Sequence, residues 1–277
     1  MLVGCDFSSR PSKNKPIVMA CGSLQGGVVH LHELIRLESL DAFSRWLALP
    51  GEWLGGFDFP FGLPRELVLH MGWPTDWEAC IRHYATLERS HIRDLFAAFC
   101  NSRPAGAKFA HRATDRPARS SPSMKWVNPP VAFMLHAGVP LLLGAGVHMP
   151  GLHGGDRSDR DAHGHPRRIA LEAYPGLLAR EILGNRSYKS DDRAKQTPQR
   201  LALRTQLLEA LKTGDTRLQL GLALRKPDEE RLRLDASGDS LDAVLCLIQA
   251  AWGTLRGAPW YGLPETLDPL EGWIVSA

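Results

Sequence analysis

Nothing in this 277-residue sequence marks a disulfide framework or a zinc knuckle. Its five cysteines, Cys5, Cys21, Cys80, Cys100 and Cys246, are odd in number, scattered, and never spaced Cys-x-x-Cys. That usage suits a reducing, cytoplasmic setting. No P-loop, no dinucleotide-binding glycine fingerprint and no Ser-His-Asp grouping competes for a catalytic role. Excess charge is lacking too. A net charge of +3 is too slight to imply bulk attraction to a polyanion, so an anion site must rest on local clustering. The first residues carry no basic stretch followed by an apolar core, so a secretory leader is not expected. Residues 131–152 hold no Asp, Glu, Lys or Arg and have the length to cross a bilayer. Gly138, Pro140, Gly144, Gly146 and Pro150 break that run, which predicts a buried helix followed by an apolar connection and no membrane partner.

What is present is organised from the start of the chain. Leu2-Val3-Gly4-Cys5 is an apolar run that carries Asp6 to the point where a short strand ends, followed by Phe7-Ser8-Ser9. Ligands in open α/β sheets bind at strand ends, so Asp6 is a candidate metal ligand; a simple turn is the competing explanation. Two more apolar runs, 16–21 and 28–37, are joined by Gly/Ser-rich links and predict an antiparallel meander. Ser39 then caps a helix with Leu40, Phe43 and Leu47 on one face, and a fourth strand over 53–59 delivers Asp58. A helical crossover returns the chain parallel to an existing strand, for which the first is the candidate. Asp6 and Asp58 would then lie on adjacent strand ends about 5 Å apart.

Residues 64–166 predict a mostly helical insertion, with Thr75 and Glu78 as a capping box. Within it, Arg103, Lys108, Arg112, Arg116, Arg119 and Lys125 face a single acid, Asp115, a pattern shared by phosphate-facing and simply solvated loops. Residues 148–165 are rich in His and Asp, but their spacing matches no zinc motif. A fifth strand, 168–174, contains Glu172. Thr197 and Pro198 open a helix, residues 218–224 lean helical, and residues 271–275 suggest a closing strand. The last strong element starts at Gly238-Asp239-Ser240-Leu241-Asp242. It is apolar nearly all round and therefore buried. Asp239 and Asp242 share its opening face, where capping and dipole effects alone also favour acids.

Together these acids are the oxygen ligands that Mg²⁺ or Mn²⁺ prefers, and two ions roughly 3.5–4 Å apart can clamp both reacting oxygens of a phosphodiester. The β-β-β-α-β opening, Gly4-Cys5-Asp6-Phe7-Ser8 and the late Asp239-Ser240-Leu241-Asp242-Ala243 resemble the ribonuclease H-like superfamily, nearest its Holliday-junction-resolvase branch. More narrowly, Gly56-Phe57-Asp58-Phe59-Pro60-Phe61-Gly62-Leu63-Pro64, Glu172-Ala173-Tyr174-Pro175 and Glu271-Gly272-Trp273-Ile274 resemble domain of unknown function 429, a family of predicted nucleases. In that pattern a His often stands where this chain has Tyr174.

The resemblance implies one α/β domain over 1–277 with a mixed five-stranded sheet: strands one to three antiparallel, strands one, four and five parallel, flanked by helices. It implies a metal-dependent nuclease or related phosphodiesterase, with Asp6, Asp58, Glu172 and Asp242 catalytic and Asp239 a further metal ligand. Substrate contacts would come from Ser8, Arg103, Lys108, Arg112, Arg116 and Lys189. Nucleic acid is the implied partner. Two other classes stay open. Asp6-Phe7-Ser8-Ser9 also resembles the phosphate-binding hairpin of sugar kinases and actin-like ATPases, and a non-catalytic nucleic-acid or protein-binding module needs no metal at all.

Overall fold

In the computed structural model, which describes residues 1–277, the opening apolar run forms β1 (Leu2–Asp6). It is followed by β2 (Ile17–Gln25), β3 (Val28–Leu37), α1 (Leu40–Leu47) and β4 (Trp53–Phe57). β1 pairs antiparallel with β2, β2 antiparallel with β3, and β1 parallel with β4. The crossover thus returns where the chirality of such connections sends it. Ser39 caps α1, its hydroxyl accepting from the Ala42 amide at 3.0 Å.

The inserted region holds α2 (Arg65–His70), α3 (Trp77–Ala85), α4 (Arg89–Asn101), α5 (Asp115–Ala118) and α6 (Val131–Gly144). Asp76, rather than Thr75, caps α3: the helix begins at Trp77, so the Asp76 carboxylate is the one that reaches the Ala79 amide, at 2.9 Å. No helix is long and apolar enough to cross a membrane. α6 spends its apolar length on Leu135, Val139 and Leu142, all fully buried.

β5 (Arg168–Glu172) adds parallel to β4 and leads into α7 (Pro175–Leu183) and α8 (Pro198–Thr213), the latter capped by Thr197. Then come β6 (Gly221–Ala223), α9 (Lys226–Leu234) and the long α10 (Asp239–Arg256). The sheet therefore has six strands, not five, in the order β5-β4-β1-β2-β3-β6. β6 falls where the sequence leaned helical. Leu218, Leu220 and Leu222 are all buried, a period of two that belongs to a strand, and β6 pairs parallel to the start of β3. The closing strand shrinks to a single parallel bridge between Ile274 and Glu172.

Helices cover both faces of the sheet. On one, α7, α8 and α10 pack through Leu178, Leu207, Leu208, Val244 and Leu247. On the other, α1, α3, α4 and α6 pack through Phe43, Tyr84, Phe96 and Leu135 against Val3, Cys5 and Phe57. α10 is buried from Asp239 to Ala251 and lies on β1 and β4 with almost no spacing. A Cβ on Gly4 would stand 2.0 Å from the Ala243 carbonyl oxygen, and one on Gly56 2.6 Å from that of Cys246. Only glycine admits a backbone so close.

Candidate active site at the strand ends

That close approach fixes the register of α10 over the sheet. Since Gly4 meets the helix at Ala243–Leu247, the first helical turn hangs over the end of β1, two residues further on. Asp6 ends β1, and Asp58 follows β4 with its amide donating to the Cys5 carbonyl at 2.9 Å, so the two parallel strands deliver their acids side by side. Asp239 and Asp242 descend from the first turn of α10. Asp242 is completely buried and Asp239 is 3 % exposed.

Capping does not account for these two acids. Gly238 holds the N-cap position in a left-handed conformation, and the opening amides are served from outside the helix by Asp235. Asp235 accepts from the Ser240 amide at 2.9 Å. Asp239 and Asp242 are thereby free to face Asp6 and Asp58.

Two lysines and a tyrosine answer them. Lys189 pairs with Asp242, and the Tyr188 hydroxyl donates to the same carboxylate. Lys15 donates to Asp239 at 2.7 Å and to Asp191 at 3.0 Å. Even so, burial and then the charge of Asp242 push Asp58 up to about 7, against the pull of Lys189. Burial first, then Asp242, likewise holds Asp6 well above the ordinary carboxylate range. Asp242 is raised too, because its burial outweighs the Lys189 ammonium. Desolvated like charges gathered in one place are a demand for cation.

Sequence reading missed Lys15, Tyr188 and Asp235. Lys15 lies in the loop that leaves Asp6 and returns along β2, a local signal that was available; Tyr188 and Asp235 carried none.

Glu172 has a different set of partners from this group, although its charge still reaches Asp58. Both its oxygens accept from the Arg112 guanidinium, at 2.7 and 2.8 Å, and one also takes the Phe61 amide at 2.9 Å. Arg112, expected in a phosphate-facing loop, is 2 % exposed. It is held further by Asp115 at 2.9 Å and by the Glu271 carbonyl at 3.1 Å. A guanidinium with its donors so occupied has nothing left for a substrate phosphate. Glu271 extends the junction, its carboxylate accepting from the Ala113 and Arg65 amides, both at 2.8 Å. The Glu172 and Glu271 motifs thus tie the inserted loop to β5 and to the last residues of the chain.

The other basic residues are divided. Arg103 pairs with Glu66 and donates to the Ala107 carbonyl, whereas Lys108 and Arg116 are exposed. Ser8 is half-buried, its hydroxyl accepting from the Arg10 amide at 3.4 Å in a local turn. In the His-rich segment His148 bridges to Ile169 beside β5, His153 faces Glu78 at 3.6 Å, and His165 faces Asp161 at 3.5 Å.

As the side chains stand, no three His, Cys, Asp or Glu residues are grouped so as to hold a metal ion. The Lys189 and Lys15 ammonium groups occupy the positive positions of the acid cluster. What fits a hard divalent cation is the donor chemistry: Asp6 and Asp242, both buried, and Asp58, half-buried at a cleft, offer carboxylate oxygens from element ends and raise one another's pKa. The chain matches no family model, no curated protein and no solved structure.

Proposed function

We propose that the chain is a metal-dependent phosphodiester hydrolase acting on nucleic acid, of the ribonuclease H-like kind its sequence resembles. The observation that carries this reading is the convergence of Asp6, Asp58 and Asp242 from two parallel strand ends and the first turn of a buried helix. Strand ends of this kind are where α/β sheets place their ligands. Asp6, Asp58 and Asp242 would hold Mg²⁺ or Mn²⁺, with Asp239 alongside, and two such ions would supply an activated water and stabilisation of the departing oxygen.

The chain's own groups have separate tasks. Tyr188 fixes the Asp242 carboxylate in one orientation. Lys189 neutralises Asp242 until a cation is taken up, after which its ammonium is free at the edge of the cluster to meet a phosphate. Glu172 is left out of the ligand set because its partner Arg112 is buried and held on every side, whereas Lys189, the partner of Asp242, is 41% exposed and can withdraw; Glu172 then serves to anchor the end of β5.

Purified protein with Mn²⁺ is expected to cut nucleic acid, and Asp6→Asn to lower the rate by about 100-fold or more, the scale on which single charge-stabilising groups act. Cleavage by Asp6→Asn at the wild-type rate would place the activity elsewhere.

A further inference from the structure

Beside the acid cluster a cleft of about 450 Å³ opens between the start of α6 and the segment from Tyr174 to Lys189. That size falls within the roughly 300–1,000 Å³ of small-ligand sites. Asp58 and Lys189 are among its lining residues, so it adjoins the proposed reaction centre. Pro129, Val131 and Met134 give its lining apolar surface, and Tyr174, Arg180 and Arg186 line it as well.

Tyr174 is a prepared surface. The Arg180 guanidinium lies 5.7 Å from the ring centroid and also donates to the Tyr174 hydroxyl at 3.0 Å. Arg180 is in turn held by the carbonyls of Ala118 and Arg119, at 3.2 and 3.1 Å. On the helix side the ring rests against Gly176, where a Cβ would approach it to 2.6 Å. An aromatic side chain immobilised beside a guanidinium, with cationic groups further along, is the combination on which single-stranded bases stack while their phosphates are tracked. Lys189 and Arg186 supply those cations, and Arg186 is exposed. A paired duplex has no free base to offer such a slot.

We infer that the cleft bounded by Tyr174, Arg180, Arg186 and Met134 is a subsite for one nucleotide of a single-stranded nucleic acid, its base against Tyr174 and its phosphate directed toward Lys189 and Asp58. This rests on the hydrolase reading and names the substrate form of that same site.

The test uses the full chain and a short oligothymidylate carrying one iodouracil. With Ca²⁺ present the strand is photo-crosslinked, and the attached peptide is identified by mass spectrometry. Crosslinking within residues 174–189 is the expected result, and crosslinking confined to other segments overturns the subsite. In parallel, Arg186→Glu, at an exposed position, is expected to weaken binding of the same strand about five- to tenfold, and Tyr174→Ala at least about fivefold. Unchanged affinity in a folded Arg186→Glu protein counts against the proposal even if the strand binds. Cleavage of the strand in Mn²⁺ with crosslinks mapping elsewhere sinks the subsite alone. Crosslinks at Tyr174 without cleavage keep the subsite and sink the hydrolase reading.

Discussion

Gly4 and Gly56 stand opposite each other in the parallel register of β1 and β4, and the backbone of α10 crosses both. The acid cluster exists because this pair has no side chains: any Cβ would lift the helix that carries Asp239 and Asp242 away from Asp6 and Asp58. Gly4→Ala places its methyl 2.0 Å from a backbone oxygen that no rotamer change can move. A loss of about 3 kcal/mol is expected, at the upper end of overpacking costs, read as a fall in urea midpoint. An unchanged midpoint would show that α10 yields easily.

The elevated Asp58 group sets a sign for pH dependence. With its folded value near 7 and an unfolded value near 3.8, the folded protein keeps a proton that the unfolded chain has released between those limits. Stability contributed at this position therefore falls as pH rises from about 4 to about 7. Asp58→Asn removes the penalty, so the variant should match wild type only near or below pH 4 and exceed it in melting temperature by a margin that widens up to about pH 7 and then holds, in metal-free buffer. A gap that is constant across this range would contradict the raised value of Asp58 beside Asp242.

Lys189→Met strips Asp242 of its ammonium partner while leaving the carboxylate buried. Breaking a fully buried pair costs roughly 3–5 kcal/mol, and with the Lys189 side chain 41% exposed the loss is expected to fall below that range. Because a divalent cation can replace the lost charge, Mn²⁺ should raise the melting temperature of Lys189→Met more than that of wild type. An equal response of the two proteins would argue against cation binding at Asp242.

Arg112→Leu leaves Glu172 and Asp115 facing each other without their shared cation. The fully buried scale of loss applies here, roughly 3–5 kcal/mol, and it should be felt by chemical denaturation whether or not metal is present. A loss that Mn²⁺ abolishes would instead place Glu172 among the cation ligands.

Much of the sheet was legible because β1, β2, β3 and β4 are apolar runs bounded by turn residues, and α1 and α8 announce themselves by Ser39 and Thr197. Asp6, Asp58 and Asp242 stood out for the same reason: each sits where a strongly apolar element ends or begins. β6 was missed because a three-residue strand is defined by its partner, β3, more than by itself. Arg112 was misread because charge density along a loop does not reveal acids 60 residues away; Lys15 was legible as a neighbour of Asp6 in the same loop, but its partner Asp239, 224 residues on, was not. Local pattern finds elements, whereas the sheet's closure decides which charges meet.

The Arg112 junction also has a temporal consequence. Its guanidinium joins the loop before α5 to Glu172, 60 residues later, and to the Glu271 carbonyl, 159 residues later. Closure over such separations is slow, and beforehand only Asp115, three residues on, can hold the guanidinium. In chain order its partners are Asp115, then Glu172, then the Glu271 carbonyl, so the bond that ties the inserted loop to the closing segment is expected to be the last of them to form. That seam is therefore expected to gain protection against amide exchange after the sheet does during refolding.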